Sequence, residues 1–163
     1  MDYLQVIQNK IIDKDALSKL VANYQLKNQK IVFTNGCFDL LHQGHVTYLA
    51  QAASLGNRLI VGINSDNSVQ KLKGIHRPIQ DEKSRTLIMA SLHVISAVIV
   101  FDEDTPLELI KIIKPDFLVK GGDWEPAKIV GSDIVQSYGG QVISIPFIDG
   151  YSTTAIETKI KSA

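Results

Sequence analysis

The run Leu59-Ile60-Val61-Gly62-Ile63 constrains the fold more than any other stretch. Five successive residues carry no polar side chain, so both faces of the strand they form must be covered. A strand buried on both faces belongs to a parallel sheet held between helical layers. The rest of the chain repeats the pattern. Short apolar runs at 31–34, 58–64, 97–101, 117–120 and 141–145 read as strands. Helical stretches separate them. One covers 44–55, with Val46, Leu49, Ala50 and Ala53 as its apolar face, and another 81–92. A third opens at Thr105-Pro106 and stops before Pro115, a fourth lies within 126–138 ahead of Gly139-Gly140, and a last covers 152–160. This alternation predicts an α/β fold, a doubly wound, parallel, five-stranded sheet.

Residues 1–29 are polar and helical. Ile7, Ile11 and Ile12 share one face and Leu17, Leu20 and Val21 another, with Asp13 or Asp15 as a cap. They read as an arm that packs on the core or on a second subunit. The 163 residues therefore read as one domain, an N-terminal helical arm (1–29) and an α/β core (30–163).

In such sheets ligands bind beyond the carboxyl ends of the strands, where strand order reverses. The residues that carry chemistry fall at those ends. Between Phe33 and His45 the chain leaves the first strand, breaks at Asn35-Gly36 and enters a helix. His42 and His45 flank Gly44 there and share one helix face. A helix N-terminus offers free N–H groups and partial positive charge, which suit phosphate. No third histidine stands nearby to complete a zinc site, so phosphate contact is the better reading. Asp39 could orient a histidine, hold Mg²⁺ through water or stabilise the turn. Lys71, Lys73 and Arg77 sit in a stretch punctuated by Gly74 and Pro78, which reads as a loop closing on a triphosphate. Arg85 reads equally as part of that clamp or as a surface ion pair. Gly121-Gly122-Asp123-Trp124 reads equally as a tight turn or as a place where backbone approaches a base or ribose closely. Ser152-Thr153-Thr154 opens the last helix with a cap and spare hydroxyls.

Charge and cysteine usage limit the alternatives. Lys plus Arg and Asp plus Glu are 17 each, which argues against broad nucleic-acid binding. Cys37 is the one cysteine, so no internal disulfide or C-x-x-C site can form, and a reducing cytoplasm fits. The N-terminus lacks the pattern of a signal peptide and no apolar run reaches membrane-spanning length. Neither G-x-x-x-x-G-K-[ST] nor G-x-G-x-x-G occurs, which counts against a P-loop kinase and an ordinary dehydrogenase.

His42-Gln43-Gly44-His45 after a strand resembles the signature of the nucleotidyltransferases that share their core with class I aminoacyl-tRNA synthetases. The stretches 36–42 and Ser152-Thr153-Thr154 resemble the cytidylyltransferase-like branch. Asn64-Ser65-Asp66, Leu72-Lys73-Gly74, Arg77-Pro78, Asp104-Thr105-Pro106 and, above all, Leu118-Val119-Lys120-Gly121-Gly122-Asp123 resemble the adenylyltransferases that act on D-glycero-β-D-manno-heptose 1-phosphate. The resemblance runs from about Lys30 to Ile160. It departs at Gln43, Trp124 and Tyr151, where alanine, tyrosine and a small residue are common; these touch sugar selectivity, not reaction type.

The resemblance implies a Rossmann-like HxGH fold and a reaction. The sugar phosphate attacks the α-phosphate of ATP in line, pyrophosphate leaves, and ADP-heptose is made for lipopolysaccharide or another surface glycan. It implies catalytic roles for His42, His45 and Lys73. It implies nucleotide contacts from Thr34, Asn35, Gly36, Phe38, Gly44, His45, Gly121, Asp123, Trp124, Ser152, Thr153 and Thr154. Asp39, Lys71, Arg77 and Lys120 would hold substrate phosphate. Mg²⁺ would be held by nucleotide phosphates and water, with no direct protein ligand. In many bacteria this activity is fused to a sugar kinase; that half is absent here, so the form is free-standing and a separate kinase acts upstream. A cytoplasmic homodimer without nucleic-acid or membrane partners completes the expectation. The alternatives are a related transferase using CTP with glycerol or ethanolamine phosphate, or ATP with FMN, and a nucleotide-binding module without catalysis.

Overall fold

The computed structural model describes residues 1–162. Five strands form one sheet: β1 (Ile31–Gly36), β2 (Arg58–Asn64), β3 (Ala97–Phe101), β4 (Phe117–Gly121) and β5 (Gln141–Ile145). The order is β3-β2-β1-β4-β5 and every pairing is parallel. The chain winds outward from β1 to β3, then returns to the far side of β1 for β4. The reversal therefore lies between β1 and β4.

Helices cover both faces. On one side α2 (Lys14–Leu26), α6 (Leu107–Ile113) and α7 (Ser132–Ser137) bury Leu17, Val21, Ile110 and Val135 against Phe33, Ile60 and Leu118. On the other, α3 (Gln43–Ala53) and α5 (Glu82–Ser91) bury Tyr48, Leu49, Ala52 and Met89 against Val32, Val61 and Val119. At about 25 cal/mol per Å² of apolar surface, these two layers supply the main driving force for folding.

The arm packs on its own chain. Asp13 caps α2 by accepting from the Ala16 amide at 2.8 Å. α1 (Tyr3–Gln8) leads into a short extended segment that bonds to β3: Val98 N–H donates to Lys10 O and Ile12 N–H to Val98 O. Of the two expected alternatives for the arm, α2 takes the core, with Leu17 and Val21 buried, while Tyr3, Leu4 and Val6 of α1 stay exposed.

Several expected boundaries move. β1 does not break at Asn35-Gly36: both residues continue the ladder opposite Gly62 and Ile63 of β2. The left-handed residue of the turn is Phe38, at φ 46°. The buried face of α3 is Gly44, Tyr48, Leu49 and Ala52, whereas Val46 is exposed. The basic stretch is not all loop. Asp66–Lys73 forms α4, capped by Ser65, with Lys71 and Lys73 in its last turn and Gly74 at φ 98° ending it. Thr105 does not cap α6; Pro106 stands at the N-cap. The 126–138 stretch divides into a 3₁₀ turn, Pro126–Lys128, and α7, with Gly131 at φ 84° between them. α8 spans Thr153–Lys161. Among the described residues no helix is long and apolar enough to cross a membrane.

Candidate active site

A cleft of about 380 Å³ opens over the carboxyl ends of β1 and β4. Asn35, Gly36, Phe38, Asp39, His45, Lys73, Lys120, Gly121 and Thr153 of the expected residues line it. They come from five separate segments that only the strand order brings together.

Of the two histidines, His45 lines the cleft and His42 does not. His42 takes the N-cap position of α3, but no side chain caps the first turn. The two imidazoles stack with ring centroids 3.9 Å apart. Gly44 allows this: a Cβ there would lie 3.1 Å from the His42 ring and 3.3 Å from Cβ of Tyr151. Phe38 packs its ring edge-on to His45, with centroids 5.3 Å apart. The left-handed backbone at Phe38 is a conformation that costs a bulky residue energy and recurs at functional sites. Both Nδ1 atoms are buried and lack hydrogen-bond partners among the described residues. Such orphans cost about 1–3 kcal/mol each and call for an explanation. Burial, then the charges of His42 and Lys73, push the His45 pKa down to about 4. Burial lowers that of His42 as well. The His45 ring is therefore neutral at pH 7 in the free protein.

Cations surround the pair. Lys73 lines the cleft, while Lys71 faces outward with its ammonium 3.9 Å from Asp104. Lys120, on β4, has burial lowering its pKa and makes one long contact, 3.5 Å to Asn35 Oδ1. An ammonium so weakly paired in a partly dry wall is suited to an anion. At the far side Ser152 caps α8 by accepting from the Ala155 amide, Thr153 faces the cleft, and Thr154 is exposed.

Other expected residues have different partners. Thr34 is fully buried and its hydroxyl bonds to Tyr48 Oη, which donates to Val119 O at 3.3 Å. This chain ties β1, α3 and β4 together beneath the cleft, so Thr34 supports the site from below. Asp39 is also fully buried. Its carboxylate accepts from Arg77, at 2.8 Å, and from the Ile79 and Gln80 amides. Burial alone would raise its pKa, but those amides and Arg77 outweigh it and hold the carboxyl below its usual range. Arg77 bonds a second carboxylate, Glu157 of α8. Asp39 and Arg77 are thus committed to each other rather than open to substrate. Asp123 is exposed and outside the cleft lining. Trp124 donates its indole N–H to Gly121 O and lines an adjoining cavity of about 160 Å³, which shares Asn35, Pro106, Lys120 and Val130 with the cleft.

Sequence reasoning misplaced Arg85 and missed Tyr48 and Phe147. Arg85 is neither clamp nor surface pair. It is 1% exposed and donates to the carbonyls of Gln80, Cys37 and Asn64 and to the Asp66 carboxylate. It thereby fastens the turn after β1 to the end of β2. Phe147 lies over Gly121-Gly122, where a Cβ on Gly121 would come within 2.6 Å of its ring. A lone aromatic in a loop carries no periodic signal that would mark it. Chemically, the cleft offers the neutral His45 imidazole, two ammonium groups and a helix N-terminus to an anion. Among the described residues no cluster of three His, Cys, Asp or Glu is arranged to hold a metal.

Known proteins with this architecture agree. A family model described as cytidylyltransferase-like matches residues 33–159. The bifunctional protein HldE of Trichlorobacter lovleyi is 55% identical over 152 residues, 93% of this chain and 31% of that protein. That of Geobacter metallireducens is 53% identical over 154 residues, again covering 31% of the relative. The chain thus spans about a third of the length of the curated relatives it matches. Among solved structures, a lipopolysaccharide core biosynthesis protein from Thermoplasma volcanium is 28% identical with a TM-score of 0.60, covering 76% of this chain and 99% of that one. A pantoate-beta-alanine ligase from Francisella tularensis, 18% identical with a TM-score of 0.62 over 93% of this chain and 76% of that one, shares the fold. The chain belongs to the cytidylyltransferase-like family of nucleotidyltransferases.

Proposed function

We propose that this protein transfers AMP from ATP to D-glycero-β-D-manno-heptose 1-phosphate, giving ADP-heptose and pyrophosphate. The observation that carries the reading is the gathering of His45, Lys73, Lys120 and Thr153 around one cleft at the strand-order reversal, with both histidine Nδ1 atoms lacking partners. The Lys120-Gly121-Gly122-Asp123 resemblance and the likeness to HldE proteins support the choice of heptose.

A sugar phosphate is already an anion near neutral pH, so the attack needs no strong base. The protein's work is to place two anions in contact and to neutralise the charge that builds on the reacting phosphorus. Lys120, beside Asn35, takes the attacking phosphate. His45, backed by Phe38 and stacked on His42, donates to the α-phosphate oxygens, and the free first-turn amides of α3 add their partial charge. Lys73 accompanies the departing pyrophosphate. Thr153, at the N-terminus of α8, holds the triphosphate from the other side. Mg²⁺ bound to the nucleotide would shield the phosphates. The site fits an ion carried in this way, because Asp39 already has three donors on its carboxylate. A sugar kinase acting earlier supplies the 1-phosphate.

The test is pyrophosphate release with ATP and the heptose 1-phosphate, against CTP with glycerol phosphate and ATP with FMN. Release with the heptose pair alone is the expected result; release with another pair assigns the chain to that related transferase. His45→Ala should lower kcat by about 10²–10³, as loss of a charge-stabilising donor does elsewhere. Full activity in that variant would remove His45 from the mechanism.

A further inference from the structure

The connection between Arg77 and α8 reaches beyond the phosphate contacts considered so far. α8 contains no buried residue. Of its apolar side chains only Ile156 is half-buried, so this nine-residue helix gains little from the hydrophobic effect and specific contacts must set its place. Two are visible. Near its start, the lead-in residue Tyr151 rests on Gly44, between the two histidines, where a Cβ would be 3.3 Å from that of Tyr151. In its middle, Glu157 accepts from Arg77. Arg77 is itself fixed, since its other terminal nitrogen donates to the fully buried Asp39 at 2.8 Å. Asp39 also receives the Ile79 and Gln80 amides, and its carbonyl accepts from Gln80 Nε2 at 2.8 Å. The segment after α4 is thus fastened to the turn after β1, and Arg77 extends that fastening to α8.

The charges argue the same way. One guanidinium lies between two carboxylates, so the cluster is net negative and repels a triphosphate. The planar fork of arginine suits a bridge between two carboxylates, which a lysine cannot reproduce.

We propose that Arg77 is a positioning residue, not a phosphate ligand. Through Glu157 it sets the N-terminus of α8, and with it Thr153, over the cleft opposite His45 and Lys73. Holding the helix in place before nucleotide arrives lowers the ordering cost of binding. This rests on the nucleotidyltransferase reading for what binds there, but not for how α8 is held.

The experiment has two arms, with Glu157→Ala and Arg77→Lys as variants. Hydrogen exchange of the free protein should show faster exchange across 153–161 in both variants, with β1 and β2 unchanged. Calorimetry with Mg-ATP should then show binding about tenfold weaker, roughly the cost of ordering a loosened segment. In turnover, KM for ATP should rise while kcat and KM for the sugar phosphate stay close to wild type. A general structural defect would instead move all three. If α8 exchange is unchanged, or if it accelerates while ATP affinity and KM hold, the proposal is overturned. It is equally overturned if Glu157→Ala tightens ATP binding, as it would if the freed Arg77 were a phosphate ligand. If wild-type protein binds no ATP, the adenylyltransferase reading fails and takes the role of Arg77 in ATP binding with it, while the exchange arm still decides whether Arg77 holds α8.

Discussion

Replacing Arg85 by methionine isolates how a buried cation builds this site. The side chain is 1% exposed and serves four acceptors: Gln80 O at 3.0 Å, Cys37 O at 2.6 Å, Asn64 O at 2.9 Å and Asp66 Oδ1 at 2.8 Å. Methionine keeps much of the length and apolar contact but offers no donor. Asp66 is partly exposed and can turn to water, so its loss contributes little. The three carbonyls are less free to do so, and each unsatisfied buried group costs about 1–3 kcal/mol. The range measured when one partner of a buried ionic cluster is deleted is about 3–5 kcal/mol. A loss of about 4 kcal/mol follows, which in a chain of this size lowers Tm by roughly 8–16 °C. Urea titration followed by circular dichroism measures it directly. Arg85→Lys should fall between the two, since one ammonium can reach some of these acceptors but not span them. A loss below about 1 kcal/mol for the methionine variant would mean that water replaces the guanidinium, and that Arg85 does not fasten β1 to β2.

Three further outcomes follow from the cleft. Gly44→Ala places a methyl group 3.1 Å from the His42 ring and 3.3 Å from Tyr151; it should leave the fold intact and raise KM for ATP several-fold, as steady-state kinetics would read, about 1 kcal/mol of misplaced contact. Lys73→Ala should lower kcat/KM by at least about tenfold more than Lys71→Ala, because Lys73 lines the cleft whereas Lys71 faces Asp104 from the surface; equal effects in pyrophosphate-release assays would contradict this. The depressed pKa of His45, about 4 against 6.5 for the free side chain, means that the unfolded chain binds more protons in between. Stability gained by keeping His45 neutral is complete above pH 6.5 and is lost as pH falls toward 4, so urea midpoints should decline less over that window in His45→Asn than in wild type.

The sheet was legible because β2 is apolar on both faces and its neighbours repeat the theme. Boundaries failed where side chains mislead about backbone. Asn35-Gly36 looks like a turn, yet pairing with β2 carries the strand through it. α4 was invisible because it buries only Ser68 and Val69, leaving no apolar stripe to follow. Along the cleft, His45, Lys73, Lys120 and Gly121 could be read locally, since each stands at the carboxyl end of a strand or at a helix terminus. Thr34, Asp39, Arg77 and Arg85 could not. Their partners lie 14 to 80 residues away for the first three, and for Arg85 as far as 48. A charged residue also reads as exposed until the fold supplies acceptors for it.

The segment before α2 has a consequence for how this molecule behaves among its own kind. β3 lies at the border of the sheet, and a border strand offers unpaired N–H and C=O groups to any passing chain. Residues 10–12 engage both backbone groups of Val98 in the middle of that border. They end the row of free groups on this side of the sheet, so intermolecular strand addition along β3 has no uninterrupted template. Trimming the first twelve residues, which leaves the Asp13 cap of α2 and every cleft residue in place, should expose the β3 border and raise edge-to-edge aggregation, as light scattering would read.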